Sequence, residues 1–152
     1  PQNPHKKSLS LLHEFDRLDM VERAIEDNFK FKSCDIEFHL SKPSYTIDTL
    51  THLSERHPTY SFSLILGGDN LEQFKSWKNY LQILDYYGLF VYPRGEEPTS
   101  DLWQHKQVKR IDAPVLQISA TYIRACIQKG QSIKYLVPDQ VEEQIAIKKF
   151  YL

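Results

Sequence analysis

The chain is short of the residues that staple or anchor a protein. Its 152 residues hold two cysteines, Cys34 and Cys126, with no CxxC pair. That spacing argues against a disulfide framework or a thiolate zinc site, and a reducing, cytoplasmic compartment is the simplest setting for it. No apolar run approaches the ~18 residues a membrane span requires. The opening Pro1-Gln2-Asn3-Pro4-His5-Lys6-Lys7 lacks both an initiator Met and an apolar signal core, and it reads like the interior of a longer chain. Nineteen Lys and Arg against twenty Asp and Glu leave a net charge of −1. The basic excess that marks a nucleic-acid binder is therefore missing. A small anionic ligand needs only a few well-placed cations, so nucleotides stay open.

What is present is an ordinary globular composition, 41% apolar and 26% charged, at a length that favours one domain, 1–152. Helical and alternating patterns take turns along it. From about Leu11 to Asp27, Phe15, Leu18, Val21 and Ile25 fall at helical spacing. Cys34, Ile36, Phe38 and Leu40 alternate with polar residues and predict a strand. Pro43 and Ser44 break it, with Ser44 placed as N-cap of a helix carrying Ile47, Leu50 and Leu53 to about His57. Tyr60 to Leu66 is apolar on both faces, as suits a central strand of a covered parallel sheet, and it stops at Gly67-Gly68. Leu71, Phe74, Trp77, Leu81 and Leu84 predict one helix or two short ones before Gly88. Leu89 to Tyr92 is a strand closed by Pro93-Arg94-Gly95. The polar stretch from Glu96 to Asp112 reads as loop with a short helix near Asp101, and Val115 to Ile118 as the last strand. Ser119 caps a helix to about Lys129, Gly130 stops it, and Pro138 opens a closing helix. The alternation predicts an α/β sandwich around a mostly parallel sheet, whose ligands bind beyond the C-terminal strand ends.

Three strings at those ends carry chemistry. In Ile118-Ser119-Ala120-Thr121-Tyr122-Ile123-Arg124 a strand feeds a helix. Unpaired amides, two hydroxyls and the positive end of the helix dipole favour an anion there, and Arg124 can fork onto phosphate oxygens. An ordinary cap with a surface Arg is the plainer alternative. In Leu66-Gly67-Gly68-Asp69-Asn70 the glycines permit close approach and positive φ, and Asp69 suits ribose hydroxyls; a tight turn with Asp69 as N-cap fits equally. In Pro43-Ser44-Tyr45-Thr46-Ile47-Asp48, Thr46 and the first-turn amides can hold a carboxylate, or simply start a capped helix. Trp77, flanked by Lys75 and Lys78, can stack on a heteroaromatic ring or fill the core.

The strings PSYTIDTL, ILGGDNLEQFKSWKN, ISATYIR and IKYLVPDQVEEQI, in that order and spacing, resemble the bacterial nicotinate-mononucleotide adenylyltransferases across essentially the whole chain. Pro4-His5-Lys6 and Asp35-Ile36-Glu37 fit the same family. ISxTxIR is shared with other adenylyltransferases such as the pantetheine-phosphate enzyme; PSYTIDTL and KSWK are more specific to the pyridine-nucleotide branch. The resemblance implies a Rossmann-like nucleotidyltransferase fold with helices on both faces of the sheet. It implies transfer of an adenylyl group from ATP, with Mg²⁺, to nicotinate mononucleotide, without a covalent enzyme intermediate. By the same resemblance Ser119, Thr121 and Arg124 hold the ATP phosphates, and Gly67 and Asp69 contact the nucleotide ribose. Thr46 and the backbone near Trp77 and Lys78 bind the nicotinate carboxylate, with the Trp77 ring on the pyridine, while His5, Lys6 and Arg94 line the site.

Two departures stand out. The family's first strand, glycine-rich loop and HxGH-type helix are absent, and the six histidines include no HxxH pair. The chain alone is therefore expected to be inactive, with the natural protein carrying that segment upstream of Pro1. Ala120 stands where many members have a second Ser. The competing expectations are a related enzyme that adenylylates nicotinamide mononucleotide or phosphopantetheine, and a non-catalytic nucleotide-binding protein if the natural chain starts at Pro1.

Overall fold

A computed structural model describes residues 12–93 and 99–152. In chain order these form α1 (Glu14–Ile25), α2 (Thr46–Arg56), β1 (Leu64–Gly67), α3 (Gly68–Gln73), α4 (Tyr80–Tyr87), β2 (Leu89–Tyr92), β3 (Val108–Arg110), α5 (Ala120–Gln128) and α6 (Asp139–Lys148), with short 3-10 turns between. Among the described residues no helix is long and apolar enough to cross a membrane. The described chain resolves into two compact units. A sheet unit takes residues 36–93 and 99–117, and a helical unit takes 12–35 and 118–152.

In the sheet unit the expected parallel sheet is present, in the order β1-β2-β3. Leu66 faces Val91 and Gly67 faces Tyr92 across the first pair; Leu89 faces Val108 across the second. Parallel neighbours need a crossover connection, which α3 and α4 supply between β1 and β2. Side chains of a strand alternate between its faces. Leu66, Leu89 and Val91 accordingly enter a core with Ile47, Leu50, Leu71, Phe74, Ile83, Leu84 and Leu102. On the alternate face Ile65 is 69% exposed, and the Phe90 ring lies 5.5 Å beneath the Lys109 ammonium.

Several sequence expectations are corrected here. The segment around Ile36 is a 3-10 turn, Ile36–Phe38, and Cys34 is exposed. Alternation shows which side chains are apolar, whereas a strand also needs a neighbouring ladder. This backbone instead closes on itself, His39 N–H to the Ile36 carbonyl at 3.0 Å, and the Thr49 hydroxyl reaches Glu37 at 3.0 Å. The strand expected from Tyr60 begins only at Leu64 and runs through Gly67. The third strand is Val108–Arg110 rather than Val115 to Ile118. Pro114 has no N–H to give a ladder, and the Tyr92 hydroxyl holds the segment instead, donating to the Pro114 carbonyl at 2.6 Å and accepting from the Leu116 N–H at 2.8 Å.

The apolar series from Leu71 to Leu84 is split. After the 3-10 turn Phe74–Ser76 the chain passes through Asn79 at φ 53 before α4 starts. That break shifts the helical phase, so Ile83 and Leu84 point inward while Leu81 is 57% exposed. Helix α4 ends at Gly88, φ 68, where a Cβ would meet the Gln107 carbonyl oxygen at 3.1 Å.

The helical unit packs Cys126, Ile127, Ile133, Val141, Ile145 and Phe150 together, with Leu12, Met20 and Ala24 against them. Helix α1 forms as expected but turns a different face inward. Phe15 and Val21 are exposed, and Asp16 and Asp19 meet α6 through Lys148, with Gln144 also bonding Asp19. A hydrophobic stripe does not settle orientation when the neighbouring helix presents a cation. Gly130, φ 65, ends α5 as expected. Pro138 is the N-cap of α6 rather than its first turn, its carbonyl accepting from Val141 and Glu142.

Candidate functional site

Ser119 caps α5 from an extended backbone, φ −124 and ψ 153, its hydroxyl oxygen accepting from the Tyr122 N–H at 3.1 Å. One acceptor lone pair is thus used, and the hydroxyl can still donate its proton to a ligand. Thr121 is exposed in the first turn. One turn further, Arg124 is half-buried, and its guanidinium carbon lies 5.8 Å from the centroid of the Tyr151 ring. Among the described residues no carboxylate pairs with Arg124. A half-buried cation next to a helix start is suited to an anion.

At the end of β1, Gly67 caps α3 with φ −78 and Gly68 begins the helix, buried. The positive φ that glycine permits is not used at this pair, nor is Asp69 the N-cap. Asp69 lies exposed in the first turn, beyond the carboxyl end of a parallel strand, and no hydrogen bond to it is seen among the described residues.

Helix α2 starts at Thr46 with Tyr45 as its N-cap and no side-chain cap. Ser44 is one residue too early for that role. It is buried, and its hydroxyl has no partner among the described residues. The Thr46 and Ile47 amides lie ahead of the first helical bonds to the Tyr45 carbonyl, and no hydrogen bond from them is seen among the described residues. Lys78 is tied to this helix start, its ammonium bonding both Asp48 carboxylate oxygens at 3.0 and 2.9 Å while lying 4.7 Å from the Tyr45 ring centroid. Trp77 is half-buried against the core, 5.3 Å from Phe74 between centroids, and its backbone N–H donates to the Phe74 carbonyl.

The structure thus gathers Thr46 and Lys78 around α2, with Gly67, Asp69 and Trp77 in the same sheet unit, while Ser119, Thr121 and Arg124 belong to the helical unit. His5, Lys6 and Arg94 lie outside the described residues. Sequence reasoning passed over Asp48, the partner of Lys78; an acidic residue in a first helical turn is the signal that marked it. It also passed over Tyr151, which carried no signal.

A parallel sheet with helices starting beyond its strand ends defines an α/β class, and a family model described as cytidylyltransferase-like matches residues 1–126. A protein of Cytophaga hutchinsonii named probable nicotinate-nucleotide adenylyltransferase is 57% identical over 151 residues, covering 99% of this chain and 79% of that protein. A Flavobacterium johnsoniae protein of the same name is 46% identical over 153 residues, with the same coverage. The solved structure of Plasmodium falciparum nicotinic acid mononucleotide adenylyltransferase complexed with NaAD shares the fold, with TM-score 0.77 and 22% identity over 99% of this chain and 78% of that one. This chain belongs to the nicotinate-nucleotide adenylyltransferase family.

Proposed function

We propose that this protein transfers the adenylyl group of ATP to nicotinate mononucleotide, giving deamido-NAD and pyrophosphate, in the cytoplasm, with residues 1–152 acting as one nucleotidyltransferase domain. The observation that carries it is Arg124, half-buried beside a helix start with no carboxylate partner among the described residues. Kinship with proteins named for this reaction supports it. In the reaction a phosphate oxygen of the mononucleotide attacks the α-phosphorus of ATP, a new P–O bond forms, and the bond to the β-phosphate oxygen breaks. Pyrophosphate leaves with the electron pair. The attacking phosphate is already anionic, so the protein's task is positioning and charge stabilisation. Mg²⁺ enters as the magnesium complex of ATP.

In this reading Ser119, Thr121 and Arg124 hold the triphosphate, and Gly67 and Asp69 meet the ribose. The Thr46 hydroxyl, the first-turn amides and the backbone near Trp77 and Lys78 receive the nicotinate carboxylate, with the Trp77 ring against the pyridine. His5, Lys6 and Arg94 complete the lining. A helix start offers donors to a carboxylate but no acceptor to a carboxamide NH₂, so the acid is the preferred acceptor by roughly 1–3 kcal/mol. Pyrophosphate release by the full natural protein, measured with the acid and with the amide mononucleotide, tests this. The expected result is higher kcat/KM for the acid, and a narrower gap in Thr46→Val. Equal use of both by the wild type, or an unchanged ratio in the variant, overturns the acceptor assignment.

A further inference from the structure

The C-terminal turn of the helical unit has an unusual backbone. Lys149 at φ 53 and Tyr151 at φ 65 both occupy the left-handed region, two non-glycine residues within three positions. Such conformations are disfavoured for side-chain-bearing residues and persist where the surroundings over-determine them. Here the surroundings are identifiable. Lys149 ends α6, and the Phe150 N–H returns to the Ile145 carbonyl at 3.1 Å. Phe150 is buried in the unit's core beside Ile145 and Ile127. With Phe150 fixed as the plug, the next ring, Tyr151, packs partly buried against the same core, edge-on to Phe150 at 6.3 Å between centroids.

That ring meets one side chain of consequence, the Arg124 guanidinium at 5.8 Å from its centroid. Arg124 is on α5 and Tyr151 follows α6, so the contact joins two helices of the same unit. A guanidinium within ~6 Å of an aromatic face is attracted to the ring's negative quadrupole. A contact with a ring face uses none of the guanidinium N–H groups as hydrogen-bond donors, whereas a carboxylate partner would occupy them. The Tyr151 hydroxyl, in contrast, makes no hydrogen bond seen among the described residues.

We propose that Tyr151 is a positioning residue for ATP binding: its ring holds the Arg124 guanidinium in one orientation while leaving the fork open to phosphate. This rests on the reading of Arg124 given above. The aromatic face carries the effect and the hydroxyl does not, so Tyr151→Phe retains wild-type behaviour while Tyr151→Leu loses it. Releasing a cation–π contact of this kind costs about threefold to tenfold in affinity. The expected result for Tyr151→Leu is therefore a rise of that size in the KM for ATP, with the KM for nicotinate mononucleotide unchanged.

The experiment is a double-mutant cycle in the full natural protein, with steady-state KM and kcat for each substrate and a melting temperature for every variant. If Arg124→Ala weakens ATP use, and Tyr151→Leu does so only while Arg124 is present, with Tyr151→Phe silent, the proposal stands. If Arg124→Ala weakens ATP use but Tyr151→Leu is silent, equally harmful on the Arg124→Ala background, or lowers stability while raising both KM values, the positioning role is overturned and the Arg124 reading survives. If Arg124→Ala leaves ATP use unchanged, the Arg124 reading itself falls, and the role of Tyr151 with it.

Discussion

The two units solve packing differently. In the sheet unit Leu71, Phe74, Ile83 and Val91 are wholly excluded from solvent, whereas in the helical unit the best-buried apolar side chain, Cys126, retains 4% exposure and Phe150 retains 9%. A parallel sheet crossed by α3 and α4 encloses side chains from several directions. Three helices enclose fewer, and α1 contributes no buried residue. Both units carry exposed ion pairs, Lys148 to Asp16 at 2.9 Å and Arg23 to Asp19 at 3.1 Å in the helical unit, Lys75 to Asp101 at 2.7 Å and Lys78 to Asp48 at 2.9 Å in the sheet unit. Exposed pairs of this kind contribute little in either unit, so the difference between the units lies in how completely each encloses its apolar side chains.

The largest effect that tests this contrast uses one substitution in both cores. Truncating a buried Ile to Ala costs about 2–5 kcal/mol depending on how far the site can collapse. Ile83→Ala, in the fully buried core, is expected near the top of that range, and Ile145→Ala near the bottom. Equilibrium denaturation of each variant measures the gap, and equal losses would erase the distinction. Next comes the helix cap. Ser119→Ala removes the acceptor for the Tyr122 N–H and is expected to cost about 0.5–2 kcal/mol, with faster amide exchange confined to α5. A loss spread through β1 and β2 would instead mean that the cap supports the sheet unit.

The smallest effect is electrostatic. The Lys148 pKa is raised above its ordinary 10.5, first by the hydrogen bond to Asp16 and then by the charges of Asp16 and Asp19. A raised folded-state value means that the contribution is complete below 10.5 and disappears as pH climbs through the folded value. Asp101 in the sheet unit shows the opposite sign, its carboxyl lowered from 3.8 chiefly by the Lys75 hydrogen bond. Its contribution is present above 3.8 and disappears as pH falls through the lowered value. Strong alkali should therefore speed amide exchange in α1 before it affects β1 or β2, and Lys148→Met should abolish that alkaline step. An alkaline step of wild-type size in the variant would remove Lys148 from the account. Both groups are exposed, and salt will shrink either effect.

What could be read from the sequence follows the same division. Strand β2 lies at the residues its composition indicated, and the Ser119 cap holds α5, because short apolar runs and helix caps are local features. Strand β3 was hidden, since Val108-Lys109-Arg110 becomes a strand through its neighbour β2 rather than through its own composition. The face of α1 was misjudged because Lys148, 132 residues from Asp16, determines it. The strings around Thr46, Gly67 and Ser119 stood out since each couples a strand or loop to a helix start. Asp48 and Tyr151 did not, because their partners Lys78 and Arg124 are brought to them only by tertiary structure.

Gly88 has a meaning for descent. A Cβ there would press on the Gln107 carbonyl oxygen, and that same oxygen accepts the Leu89 N–H at 2.8 Å, the bond that opens the β2–β3 ladder. Drift at this position is closed from two sides, by the left-handed backbone and by the neighbour. A lineage could abandon the glycine only after Gln107 had moved, and moving Gln107 would shift the register of β3. Two separate changes would have to be fixed in order, the first harmful without the second, so codon 88 should be among the slowest in the gene to change.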